Sequence, residues 1–332
     1  MDGSESTRRS RIILAFATLV LVVLAASPTS ALPREGAPTT TRLVAGLASG
    51  SGSTIGPDGA LYVTEGAAGR VSRVDPQTGG VTTYASGLPP SIIGIGGAMD
   101  IEFKDWTAYV LVTLVGADVG GSDVVGIYRV DGLDQFSVIA DIGEWSVAHP
   151  PATDFFVPSG VQYAMEGFRD GFLVTDGHHN RVLQVTLDGA VTEMVAFGNV
   201  VPTGLDIHGR TVYMAQAGPV PHLPQDGKIV SFMPTSNAVV SELAAGGPLL
   251  VDVEFRPKRH LFALAQGEFT PGNPEGSPAN PNTGKLLKAD GHGGFTVVVE
   301  GLNQPTSLEL IGETAYVVTL GGEIWKIDSV AS

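Results

Sequence analysis

The sequence predicts an all-β fold, a six-bladed β-propeller closed by an N-terminal strand that completes the last blade, and three observations predict it. First, one unit recurs six times. It reads LYVTEGAAGRVSRV at 61–74, AYVLVTLVG…DVVGIYRV at 108–130, FLVTDGHHNRVLQV at 172–185, VYMAQAGPVPHLPQDGKIVSF at 212–232, LFALAQGEF…GKLLKAD at 261–290 and AYVVTLGGEIWKID at 315–328. Each copy is an apolar strand, a polar turn and a second alternating strand, with Tyr62, Tyr109, Leu173, Tyr213, Phe262 and Tyr316 at one shared position. A period of roughly 50 residues with several strands per copy is the mark of propeller blades. Second, 44 glycines and 22 prolines punctuate short β-rich runs, and no long helical periodicity appears. Third, the last copy lacks a strand, and the segment TTRLVAG at 40–46 resembles the fourth strands YASG (84–87) and VVEG (298–301). A ring closed from both termini leaves no open sheet edge.

Taken in chain order, residues 1–31 read as a secretory signal. Arg8, Arg9 and Arg11 precede a charge-free apolar run at 12–26, and 27–31 are small, with Thr29 and Ala31 placed for cleavage. The run is shorter than the roughly 20 apolar residues a membrane-spanning helix needs, so no span is expected after cleavage, and a secreted, extracellular protein is. A linker at 32–39 leads into the propeller at 40–332. The outer strands of blade one are expected at 70–75 and 80–86, of blade three at 180–186 and 190–197, and of blade five at 285–289 and 295–300.

Insertions fall at 114–123 in blade two, 217–227 in blade four and 267–284 in blade five, with a further one at 144–158 before blade three. Loops between second and third strands and loops between blades open on the same face of a propeller. All four therefore crowd one mouth of the central channel, where a rigid scaffold commonly carries function. A small molecule or a protein partner is expected on that loop-rich face.

Composition removes several chemistries. The chain has no cysteine, which excludes thiol nucleophiles, thiolate metal sites and disulfides, so the exported fold must rest on core burial. A formal charge of −15 argues against nucleic acid or anionic membrane as partners. No G-x-S-x-G elbow, HExxH, EF-hand loop or P-loop is present.

Two constellations remain. Glu102, Asp206, Glu254 and Glu309 occupy one comparable position on the first strands of four blades, with Asp100 and Asp252 two residues earlier and hence on the same strand face. Carboxylates converging on a channel repel unless they are protonated, paired or metal-bound, and hard oxygen donors suit Ca2+ or Mg2+. The alternative is that they pack between blades beside cations or water. The second set lies just after the second strands: Glu65, Asp176, His178, Gln216, His222 and Gln266, candidate ligand contacts at the mouth. His178-His179-Asn180 also sits at a repeat turn, where polar residues serve the backbone, and adjacent histidines diverge on extended chain.

The stretch GFLVTDGHHNRV at 171–182, followed by VPTGL at 201–205 and VYMAQAGPVPHLP at 212–224, resembles the ScyD/ScyE family of exported six-bladed propellers related to NHL-repeat proteins. The resemblance implies the fold and export, with a divalent-metal-dependent role as an option. Gluconolactonase-type propellers place a metal-binding Glu-Gly-Pro at the start of a blade. Here that place reads Ser53-Thr54-Ile55-Gly56-Pro57, without the carboxylate. A metal-assisted hydrolase or lyase in the same channel is the alternative to a binding protein.

Overall fold

The computed structural model describes residues 38–330, apart from 236–237 and 257–259. The expected signal segment and nearly all of the expected linker lie outside the described residues. Six four-stranded antiparallel sheets form the blades of a propeller. Their innermost strands are Ser53–Ile55, Gly97–Lys104, Gln162–Phe168, Pro202–His208, Leu250–Arg256 and Pro305–Ile311. The sixth blade is completed by Thr39–Val44, which pairs antiparallel with Ile324–Asp328, Thr40 opposite Ile327 and Arg42 opposite Trp325. The closing strand thus begins one residue earlier and ends two residues earlier than the repeat pattern placed it. Among the described residues no helix is long and apolar enough to cross a membrane.

The core is divided among the blade interfaces. Tyr62, Val71, Ile101 and Val110 pack blade one on blade two, and Tyr109, Leu111, Phe172 and Leu183 pack blade two on blade three. Val63, Val74, Tyr316 and Val318 seal the sixth blade against the first, where the ring closes. The shared aromatic or leucine position of the repeat is therefore a wedge between neighbouring sheets. Burying such side chains stabilises by about 1.5–3 kcal/mol each, and this carries a fold without disulfides.

The insertions have small cores of their own. Leu114, Val157 and Val161 are buried together beneath the blade-two and blade-three loops, and Ala217, Leu249, Phe269 and Ala279 beneath those of blades four and five. One element was not expected: the insertion before blade three begins with a short helix, Ile142–Ala148. The Asp141 side chain caps its start by accepting from the Glu144 N–H at 2.7 Å. At its end Arg181 donates to the His149 carbonyl at 2.7 Å and to Ser146 Oγ at 3.0 Å.

Candidate functional site

The first strand of each blade meets the second in one register. Glu102 stands opposite Tyr109, Asp206 opposite Tyr213, Glu254 opposite Phe262 and Glu309 opposite Tyr316. Glu166, opposite Leu173, belongs to the same set, and blade one has Thr54 there, opposite Tyr62. Five of six blades thus send a carboxylate from one level into the channel, one more than the sequence reading counted. Spacing would have found it: Glu166 precedes Leu173 by the same seven residues that separate Glu102 from Tyr109, Asp206 from Tyr213 and Glu309 from Tyr316.

Within this ring Thr54 Oγ1 donates to Glu102 Oε2 at 3.1 Å, and the Phe255 N–H donates to Asp206 at 2.6 Å. Among the described residues, Glu166, Glu254 and Glu309 find no hydrogen-bond or ion-pair partner. Burial, reinforced by the neighbouring acids, holds these three carboxyls well above the usual range. Burial also pushes Glu102 up to about 7, against the opposing pull of Thr54, its backbone contact and Lys104, and it raises Asp206 less.

Asp100 and Asp252 do a different job. Asp100 accepts from the Met165 N–H at 2.7 Å and Asp252 from the Leu308 N–H at 2.7 Å, so each ties its own inner strand to that of the next blade. Each lies against a glycine of the preceding blade, and a Cβ on Gly52 or Gly204 would collide with the carboxylate. Desolvation dominates here too, taking Asp252 up to about 7 and Asp100 well above its ordinary value. Among the described residues no three Asp, Glu or His side chains are close enough together to share an ion directly.

The second set separates into structural and cavity-facing members. Glu65 is fully buried and accepts from Arg70 Nε at 2.7 Å, Arg70 NH2 at 2.6 Å, Ser72 Oγ at 2.6 Å and the Ala48 N–H at 2.6 Å. Burial opposes its charge, but those bonds outweigh it and keep the pKa low. Asp176 is equally buried, paired with Arg181 at 3.2 Å and accepting from the Val161 N–H at 3.1 Å. Neither lines the channel cavity; both stitch their blades together at the mouth end. Gln216, the last residue of its strand, is buried and outside the cavity wall. Gln266 does line the cavity, and its Oε1 accepts from the Ala279 N–H at 2.9 Å, holding the blade-five insertion.

The two histidines of the turn diverge. His179 Nε2 lies 3.0 Å from the Val157 carbonyl and its Nδ1 2.9 Å from Arg181, a wholly internal position. His178 Nε2 accepts from the N–H groups of Phe156 at 2.9 Å and Val157 at 3.1 Å, which leaves the proton on Nδ1, 3.2 Å from Glu275 Oε1. His178 so joins the insertion before blade three to the insertion of blade five. Glu275 was not legible in sequence, because the insertion has no counterpart in other blades. Its hydrogen bond to His178 holds its carboxyl below the ordinary value. His222, in the blade-four insertion, is 7% exposed, and its Nδ1 lies 2.7 Å from the Gly218 carbonyl. Tyr163 completes this wall; burial pushes its phenol up to about 12.

A cavity of about 630 Å3 connects the carboxylate ring to His178, His222 and Gln266 of the second set. Ile93, Ile95, Phe156, Val157, His178, His222 and Glu275 form its mouth, and Glu102, Glu166, Asp206, Glu254 and Glu309 lie deeper in the same space. Apolar walls over an acidic floor suit a small molecule with a polar or cationic end, or an ion beneath a ligand.

No protein-family model matches the chain, and no curated protein matches it. Solved structures do. A gluconolactonase from Xanthomonas campestris superposes with a TM-score of 0.60 at 11% identity, covering 87% of this chain and 89% of that one. A putative oxidoreductase (glucose dehydrogenase) from Thermus thermophilus gives 0.59 at 15% identity, with coverages of 87% and 99%. Virginiamycin B lyase from Staphylococcus aureus gives 0.53 at 13% identity, with coverages of 88% and 98%. These likenesses show the six-bladed propeller fold.

Proposed function

We propose that this protein binds a small molecule in its central channel, entered from the loop-rich mouth, and that a divalent cation, Ca2+ or Mg2+, balances the carboxylate ring beneath it. The observation that carries this is the continuity of one cavity from the insertion loops to five inward carboxylates. Its volume falls in the range of small-molecule sites, about 300–1,000 Å3, and a concave cavity favours a small molecule over a flat protein partner. The donor chemistry fits a hard cation: Glu166, Glu254 and Glu309 offer oxygens that no group among the described residues uses, and Glu102 adds a fourth. Because these side chains do not converge on one point, an ion held there keeps water in its shell. Export through the 1–31 segment, and the resemblance of residues 160–232 to the ScyD/ScyE family, belong to the same reading.

The second reading is a metal-assisted hydrolase or lyase in the same channel. It is favoured by the buried histidine in the wall of the cavity that holds the acidic floor, and by a gluconolactonase and a lyase among solved structures of this fold. A cation would then supply Lewis-acid polarisation of a bound oxygen, while the protein's residues hold and orient the molecule.

Thermal melting with Ca2+ or Mg2+ against chelator tests the cation. The native protein melts at a higher temperature with metal, a stabilisation of about 2.7 kcal/mol when free ion stands at 100 times its Kd. The double variant Glu254→Gln/Glu309→Gln loses most of that gain. An equal gain in both proteins removes the ring as the cation site.

A further inference from the structure

Of the three histidines at the mouth, His222 alone has an uncommitted ring nitrogen. Both nitrogens of His178 and of His179 face protein partners within 3.2 Å. His222 Nδ1 is committed to the Gly218 carbonyl at 2.7 Å, with the Ala217 carbonyl at 3.4 Å, which places the proton on Nδ1. Among the described residues Nε2 has no hydrogen-bonding partner, although the residue is only 7% exposed and forms part of the cavity wall. The ring is also held still. Phe269 meets it edge-on at 5.1 Å, and the His222 backbone N–H donates to the Pro219 carbonyl at 2.6 Å. The residue sits at φ 56°, a left-handed conformation that costs a side-chain-bearing residue on the order of 1 kcal/mol or more. Strain of this kind persists where the surroundings impose it, and here it fixes His222 in the cavity wall.

We propose that His222 is the base of the cavity: Nε2 takes a proton from an acidic O–H, N–H or C–H group of a bound small molecule while Nδ1–H stays on the Gly218 carbonyl. This rests on the reading that the cavity takes a small molecule. In the step the bond to hydrogen on that molecule breaks and its electron pair remains there. The new N–H bond leaves an imidazolium whose charge the Glu275 carboxylate favours. Glu275, itself bonded to His178, is the charged group that acts on this ring; desolvation acts the other way and keeps the resting imidazole neutral.

The test uses the full chain and diethyl pyrocarbonate as the probe, in chelator, with modified histidines mapped by mass spectrometry. His222 is expected to label at least tenfold faster than His178 and His179. Its rate should rise with pH to a plateau with a midpoint below that of a free histidine side chain, about 6.5. His222→Gln removes that label. Nitrogen-15 spectra of histidine-labelled protein should show the Nδ1–H tautomer with a bare Nε2. Labelling of His222 as slow as that of His178, or an Nε2–H tautomer, overturns the proposal. Both readouts are taken without metal, so failure of the cation site leaves them unchanged.

Discussion

Aspartate and glutamate divide the inner strands between them. The shorter Asp100 and Asp252 side chains reach only as far as a neighbouring backbone, and each accepts an N–H from the next blade at 2.7 Å. Glu254, two residues beyond Asp252, and Glu309 at the matching position of the sixth blade carry one more methylene and end in the cavity without a partner among the described residues. Substitutions should therefore act in opposite directions. Asp252→Ala strands the Leu308 N–H and should cost about 1–3 kcal/mol in chemical denaturation. Glu254→Gln in chelator removes an acid that burial and its neighbours disfavour, and should leave stability unchanged or raise it. At the mouth, Asp176→Asn leaves the Arg181 guanidinium, 1% exposed, with only the half-exposed Glu193 carboxylate at 3.7 Å as counter-charge; a loss of up to about 3–5 kcal/mol is expected in the same assay. A loss under 1 kcal/mol there would show that Glu193, the His149 carbonyl, Ser146 and His179 suffice for Arg181. The sequence marked Asp176 as polar and near the mouth. It did not reveal that its charge was already spent on Arg181, because a buried ion pair and a ligand contact look alike in one dimension.

At the scale of elements, the strands were legible because period-2 patterning and the repeat support each other. Val71, Val74, Val182 and Val185 face the blade interfaces at their repeat positions. The closing strand was legible by subtraction, as the piece the sixth blade lacked. The helix Ile142–Ala148 was not: its stability comes from Asp141 at one end and from Arg181, over 30 residues away, at the other. Loop contacts such as His178 to Glu275, 97 residues apart, were hidden for the same reason. The closing strand has a direct consequence. Deleting residues 38–44 leaves Ile324–Asp328 as an open edge and uncovers Val74 and Val318, which Val44 packs beside. The truncated protein should melt lower and aggregate in a concentration-dependent way by light scattering. A monodisperse truncation with the original melting temperature would mean that the ring does not depend on that strand.

Across the whole molecule, the channel concentrates acid in a chain whose formal charge is already −15. The carboxyls of Glu102 and Asp252 titrate near 7 in the folded protein, against 4.5 and 3.8 in the free side chains. The unfolded chain releases these protons first as pH rises, so it binds fewer protons than the native state between about 4 and 7. Stability in chelator therefore falls with rising pH across that window, by on the order of 3 kcal/mol per such group, and is retained below it. Urea midpoints at pH 5 and pH 8 should show the decline, and saturating Ca2+ should reduce it at pH 8, above the point where Glu102 and Asp252 titrate. A flat profile without metal would mean that water or cations already relieve the ring.

The account turns on what occupies the channel, and a crystal soaked in Ca2+ at pH 8, measured at a wavelength where calcium scatters anomalously, reads that directly. An anomalous peak among Glu102, Glu166, Glu254 and Glu309, with water on the side facing His222, is the predicted result. A channel without such a peak, while calcium is seen elsewhere on the molecule, would contradict it.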